Sequence, residues 1–226
     1  MSHYEFKCTE CSKSHIADPR TLRCENCSGT LSVTYTNWKR QVSSLVGGGT
    51  LDMPIPLGSL SEYLSLGEGN TPVISMPKIS SMFETEIYGK LEFMNPTGSF
   101  KDRGTAMMIS ALKSRGVSEI VEDSSGNAGA SVSAYSALAG ITANIFAPIT
   151  APDPKISQIR VYGAETHLIE GTRDDTTEAA IRFATENSLA YASHNLSPFF
   201  IEGTKIFAYE IYEQFNGNLP TDIVIP

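Results

Sequence analysis

The chain has 226 residues, 41% hydrophobic and 19% charged, the balance of a water-soluble protein with room for one medium domain or a small element joined to a larger one. A net charge of −8 and a pI near 5.0 argue against non-specific attraction to nucleic acid or anionic membrane. No stretch approaches a transmembrane run and MSHYEFKCTE has no apolar signal core, so a cytoplasmic location is expected.

All four cysteines fall in the first 27 residues, as Cys8-x-x-Cys11 and Cys24-x-x-Cys27. A disulfide framework would scatter them through the fold. Two CxxC knuckles instead place four thiolates around one point and complete a tetrahedral zinc shell. With no open position left for substrate, the expected Zn²⁺ is structural, in a zinc-ribbon-like element over residues 1–35. A metal-free knuckle or a redox pair is the alternative reading of the same spacing. His15 is expected in a loop. Lys7, Lys13, Arg20 and Arg23 are balanced by Glu5, Glu10, Asp18 and Glu25, which is no basic footprint for nucleic acid. The element is therefore expected to stabilise the fold or to contact another subunit.

Residues 36–75, rich in Gly, Pro and Ser, read as a linker and wrapping segment. The GGG at 47–49 precedes no lysine–hydroxyl pair at P-loop spacing, and no GxGxxG opens a helix after a strand, so nucleotide binding is weakly supported. From about residue 85 strands and helices alternate. EIYGKLEF reads as a strand, and a helix follows near Asp102 with Met107, Met108, Ala111 and Leu112 on one stripe. EIVED, ITANIFAP and ETHLIE are strands; GNAGASVSAYSALAG, PKISQIRVYG and TRDDTTEAAIRFATEN are helices, the last with Ala179, Ala180, Phe183 and Ala184 on one face. IEGTKIFAYEIYEQF reads as a single helix with Phe207, Ile211 and Phe215 at i, i+4 and i+8, and TDIVIP as the start of a strand. Such alternation predicts an α/β fold, parallel strands with helices on both faces.

Two turn-plus-helix segments carry the chemistry: NPTGSFKDRG at 95–104 and SSGNAGAS at 124–131. Each follows a predicted strand and opens a predicted helix, where free N–H groups and the helix dipole favour an anion. Lys101 stands at the start of the first helix. The dipole there, and any burial, lower its pKa and increase the neutral amine, suited to condensing with an aldehyde. The plainer reading is a solvated lysine paired with Asp102. In the second segment Ser124, Ser125 and the N–H groups around Gly126 can cradle a carboxylate or phosphate, and Asn127 can hydrogen-bond a phenolic oxygen. Helix capping by Ser124 or Ser125 is the alternative.

KLEFMNPTGSFKDRG resembles the cofactor-lysine segment of the threonine synthase group, pyridoxal-phosphate enzymes of fold type II with the tryptophan synthase β-subunit fold. LGEGNTPV at 66–73, SSGNAGAS, and NLSPFFIEGTKIFAYEIYEQF resemble the group's opening segment, asparagine loop and return to the large domain. An N-terminal CxxC…CxxC element also occurs in some of its branches. The resemblance implies that Lys101 anchors pyridoxal 5'-phosphate, that Asn127 contacts the cofactor's ring hydroxyl, and that Ser124, Ser125 and Gly126 bind the substrate carboxylate. It implies a lyase that turns O-phosphohomoserine and water into threonine and phosphate, and a homodimer when full length. It divides the chain into 76–104 with 196–226 as part of a large cofactor-binding domain, and 105–195 as a small α/β domain. Ala128, Gly129 and Ala130 stand where the group more often has threonines. Serine/threonine dehydratases and cysteate synthase resemble the same scaffold, although Asp102 and Asn95–Pro96 favour threonine synthase. The glycine-rich cup for the cofactor's phosphate is expected beyond Pro226. The chain is therefore expected to be a fragment, inactive alone; a short non-catalytic paralogue is the other class of answer.

Overall fold

The computed structural model describes residues 4–36, 42–43, 51–52 and 54–225. The glycine run at 47–49 and most of the expected linker before it lie outside the described residues. Strands β1 (Tyr4–Cys8), β2 (Ser14–His15) and β3 (Leu31–Tyr35) form an antiparallel sheet in the order β2-β1-β3. The short pair β4 (Val42–Ser43) and β5 (Leu51–Asp52) follows, also antiparallel. The N-terminal sheet is docked rather than appended. Tyr4 and Phe6 meet Phe199 edge-on at 6.1 and 5.4 Å, Tyr35 Oη donates to Glu202 at 2.7 Å, and Arg115 donates to the Ala17 carbonyl at 3.2 Å. Its buried side chains share one continuous core with the rest of the chain.

Next come β6 (Val73–Ser75), α1 (Pro77–Phe83) and β7 (Tyr88–Lys90). β6 and β7 pair antiparallel, and the expected strand EIYGKLEF ends at Lys90, giving way to a 3₁₀ turn at Glu92–Met94. Helix α2 (Lys101–Ser114) is buried on every side from Asp102 to Leu112, so its apolar stripe is only part of an all-round core helix. It is then followed by β8 (Glu119–Glu122), α3 (Asn127–Ala139), β9 (Thr142–Pro148), α4 (Asp153–Val161), β10 (Glu165–Ile169), α5 (Arg173–Glu186) and β11 (Ala190–Tyr191).

Strands β8 to β11 form a parallel sheet in the order β10-β9-β8-β11. Period-two alternation divides its side chains between two cores. Ile120, Ile145 and Ala147 point into the main core with Val132 and Ile159, from α3 and α4; Val121 and Phe146 meet Ala180 and Ala184 of α5. Helices on both faces are thus observed, as the alternation predicts. A capping box at Thr172 and Asp175 starts α5.

The C-terminal helix divides into α6 (Pro198–Thr204) and α7 (Ile206–Gln214), with the break at Lys205. The buried positions of α7 are Ile206, Glu210 and Ile211 rather than the expected Phe207–Ile211–Phe215 line, because α7 turns to deliver Glu210 into an ion cluster. α2 and α6 cross with almost no gap: a Cβ on Gly203 would lie 2.2 Å from the Arg103 carbonyl, and one on Gly104 2.7 Å from the Phe200 ring. Beside the crossing, Arg103 donates to Glu92 from Nε (2.7 Å) and to Glu210 from Nη1 (2.6 Å), and Lys90 donates to Glu210 at 2.9 Å. This network ties α2, β7 and α7 together. Residues 221–225 form no strand with any described residue and are exposed.

A candidate cofactor cleft and a candidate metal centre

The turn before α2 is folded onto the helix by Asp102, which accepts from Thr97 N at 2.7 Å and Thr97 Oγ1 at 2.6 Å. Asp102 is wholly buried, and burial raises its carboxyl above the ordinary value. It is not the partner of Lys101, which corrects the solvated-pair alternative. Lys101 is the first residue of α2, and its Nζ lies 4.6 Å from the Phe100 ring centre and 5.6 Å from that of Phe200. No hydrogen bond or ion pair from a described residue engages that nitrogen. Burial pulls its pKa below the ordinary lysine value, and the Glu122 carboxylate opposes this only in part. The amine opens into a cleft of about 380 Å³ lined also by His194, Asn195, Thr204 and Lys205.

The cleft lies where the sheet reverses its order of construction. From β8 the chain builds outward through β9 to β10, then crosses back to place β11 on the other side of β8. Ligands of open α/β sheets bind outside the carboxyl ends of the strands at such a switch. Glu122 ends β8 and His194 follows β11; His194 Nδ1 and Glu122 Oε1 are 2.6 Å apart, bridging the two strand ends. Glu122 is wholly buried, its Oε2 has no partner among the described residues, and burial raises its pKa against the opposing influence of His194. Next to it Asp123 accepts from Tyr191 Oη at 2.6 Å and Thr177 Oγ1 at 2.5 Å, and pairs with Arg173 at 3.0 Å.

The turn Ser124–Gly126 follows, with Gly126 N–H donating to Ser124 Oγ at 3.3 Å. Asn127 opens α3 at the surface, and its Oδ1 accepts from Lys155 at 2.7 Å. Gly129 lets the turn close on the helix, since a Cβ there would lie 1.9 Å from the Ser124 carbonyl. Gln158 donates to the Thr97 carbonyl at 3.1 Å, so α4 bridges the turn before α2 and, through Lys155, the start of α3. Of the residues expected from sequence, Lys101 lines the cleft. Ser124, Ser125, Gly126 and Asn127 occupy the adjoining turn and are not among its lining residues. The sequence reading missed Glu122, His194, Phe200 and Lys155. The only signal for the first was an acid ending an apolar strand.

In the N-terminal sheet, Cys8, Cys11, Cys24 and Cys27 bring their sulfurs within 4.8 Å of one another, with Cys8–Cys27 at 3.5 Å and Cys11–Cys24 at 3.6 Å. A tetrahedral ion with metal–sulfur bonds of about 2.3 Å needs sulfurs about 3.8 Å apart, so the donor set fits Zn²⁺. The two knuckles match: Ser12 and Ser28, each directly after a second cysteine, take left-handed φ of 60° and 59°. The Lys13 backbone N–H, followed by the Cys27 side chain, pushes the Cys11 thiol down to about 6. His15 is not in a loop; it lies on β2 with Nε2 3.2 Å from Cys24 Sγ.

Residues 64–226 match the family described as "Pyridoxal-phosphate dependent enzyme". The chain is 39% identical to threonine synthase of Bacillus sp. (strain ULM1) over 173 residues, covering 76% of this chain and 49% of that protein. It is 32% identical to threonine synthase of Methanocaldococcus jannaschii over 230 residues, covering 97% and 56%. It thus spans about half the length of the curated relatives it matches. Among solved structures, a pyridoxal 5'-phosphate-dependent aspartate racemase is similar with a TM-score of 0.61 and 30% identity, over 64% of this chain and 46% of that one. A cleft with an unpartnered lysine at a sheet's switch point, and this family match over most of the chain, agree: the chain belongs to the pyridoxal-phosphate dependent enzyme family.

Proposed function

We propose that Lys101 anchors pyridoxal 5'-phosphate in a threonine synthase-type lyase that converts O-phosphohomoserine and water into threonine and phosphate. The observation that carries this is the Lys101 amine, half-buried and without a partner among the described residues, opening into a cleft at the carboxyl ends of β8 and β11. Such an amine is neutral more readily than a solvated one, as covalent attachment to an aldehyde requires. When bound, the cofactor supplies an electron sink for charge developing at the substrate's α-carbon. The protein's own residues supply the rest. Ser124, Ser125 and Gly126 would bind the substrate carboxylate at the open start of α3, and Asn127 would reach the cofactor's ring hydroxyl. Lys101 Nζ would carry a proton to and from the substrate. Phe100 and Phe200 flank that nitrogen and limit its contact with water.

The residues fit the group in chemistry, with one adjustment: Asn127 Oδ1 must exchange Lys155 for the cofactor. The division into 76–104 with 196–226, and 105–195, belongs to the same reading and is supported by the parallel sheet lying wholly within 119–191. So do a cytoplasmic setting, supported by the thiol cluster, and a homodimer of the full-length protein. We also assign Zn²⁺ to Cys8, Cys11, Cys24 and Cys27; metal analysis should find one zinc per chain, and freely alkylated thiols with no zinc would contradict the assignment.

The Ala128–Gly129–Ala130 stretch favours a second reading, a fold type II dehydratase or cysteate synthase. Assaying the full-length protein separates them. Threonine and phosphate from O-phosphohomoserine support the first reading, and a keto acid from serine or threonine, or cysteate from phosphoserine and sulfite, supports the second. No turnover by a cofactor-loaded protein would point to a non-catalytic paralogue.

A further inference from the structure

Glu122 and His194 stand apart from the other buried charges. Glu92 and Glu210 each take several donors from Arg103 and its neighbours, as buried carboxylates ordinarily must. Glu122 is wholly inaccessible, yet among the described residues its one hydrogen bond is to His194, and Oε2 has none. A carboxyl kept so poorly satisfied behind a residue that lines a cleft marks function more often than architecture. Its effect is to fix the imidazole. Nδ1 is engaged at 2.6 Å, which directs Nε2, on the opposite edge of the ring, away from the sheet. That nitrogen has no partner among the described residues, and the side chain keeps 12% of its surface accessible. The His194 ring lies 5.7 Å from the Phe200 ring centre and Lys101 Nζ 5.6 Å from the same centre. The two groups therefore share one aromatic wall. Lys205 also lines the cleft, but Glu202 holds its ammonium.

We propose that His194, oriented by Glu122, is a specificity-determining residue of this cleft whose Nε2 hydrogen-bonds an oxygen function on the side chain of the bound amino acid. The proposal rests on the cofactor reading of Lys101. It assigns Glu122 as a positioning residue that acts through His194.

The test uses the full-length holoenzyme and two ligand pairs, homoserine against 2-aminobutyrate and serine against alanine, with binding followed by the cofactor's absorbance. Borohydride-fixed label on Lys101 and the melting temperature serve as controls for loading and folding. His194→Asn should weaken the oxygen-bearing ligand of each pair about tenfold and leave its deoxy partner within about twofold. His194→Gln should recover part of the difference, and Glu122→Gln should act in the same direction by a smaller factor. With ¹⁵N-histidine, the Nε2 resonance should move on adding homoserine and hold still with 2-aminobutyrate. Equal weakening of both members of a pair, or none, in variants that load and fold would overturn the proposal alone. Lack of label on wild-type Lys101 would overturn the cofactor reading and the proposal with it.

Discussion

Lys101 combines three features: the first position of a buried helix, two aromatic neighbours, and no ion pair with a described residue. Its folded-state pKa is lowered by burial, so the cofactor-free protein spends stability on a half-buried ammonium at neutral pH. Lys101→Met keeps the length and removes the charge. The melting temperature should rise by about 2 °C near neutrality, a modest gain because the site is partly solvated. The lowered pKa sets the pH window. The gain should be full below the folded-state value and fade as pH approaches the ordinary lysine value of 10.5, where unfolded wild type loses its proton too. Calorimetry across that range checks it; a gain that grows with pH would contradict it. Local sequence made Lys101 visible because a helix-start lysine behind TGSF has a physical consequence. It could not show His194, which meets Glu122 across 72 positions, a pairing only the sheet order creates.

Helix α2 transmits positional accuracy to the cleft because Arg103, two residues after the lysine, is clamped between Glu92 and Glu210. Arg103→Met leaves the buried Glu210 and the part-buried Glu92 without their shared guanidinium and should cost about 3–5 kcal/mol, measured by denaturant unfolding. Burial alone would raise both carboxyls, yet Arg103 outweighs it and holds each below its ordinary value of 4.5. Their contribution is therefore present above about pH 4.5 and disappears as pH falls through the lower folded-state values. An acid-unfolding curve should shift to higher pH in the variant. Gly129→Val should also destabilise, by about 1–3 kcal/mol, because the Ser124 carbonyl occupies the place of the added Cβ. The parallel strands were legible as short apolar runs between helical periods, and β8 to β10 lie where those runs predict. Two element readings failed for tertiary reasons. The helix through Lys205 breaks so that α6 can meet α2 while α7 turns Glu210 inward, and 221–225 are exposed and belong to no described sheet.

At the scale of the molecule, the cysteine cluster, α6 and the cleft form one mechanical series. Phe6 seats Phe199, Phe199 belongs to α6, and its neighbour Phe200 walls the Lys101 amine. Chelating the proposed zinc should lower the melting temperature and speed hydrogen exchange in 198–204, whereas an α6 indifferent to chelation would separate the two sites. The CxxC spacing announced the cluster, but the docking of its sheet on α6 depends on Tyr4 and Phe6, whose alternation with Glu5 and Lys7 marks a strand without naming the helix it packs on. The central claim is that this cleft holds its cofactor on Lys101. Full-length protein loaded with pyridoxal phosphate, reduced with borohydride and digested, should carry the pyridoxyl mass on the peptide containing Lys101 and lose it in Lys101→Ala. Label on another lysine, or undiminished label in that variant, would contradict the account.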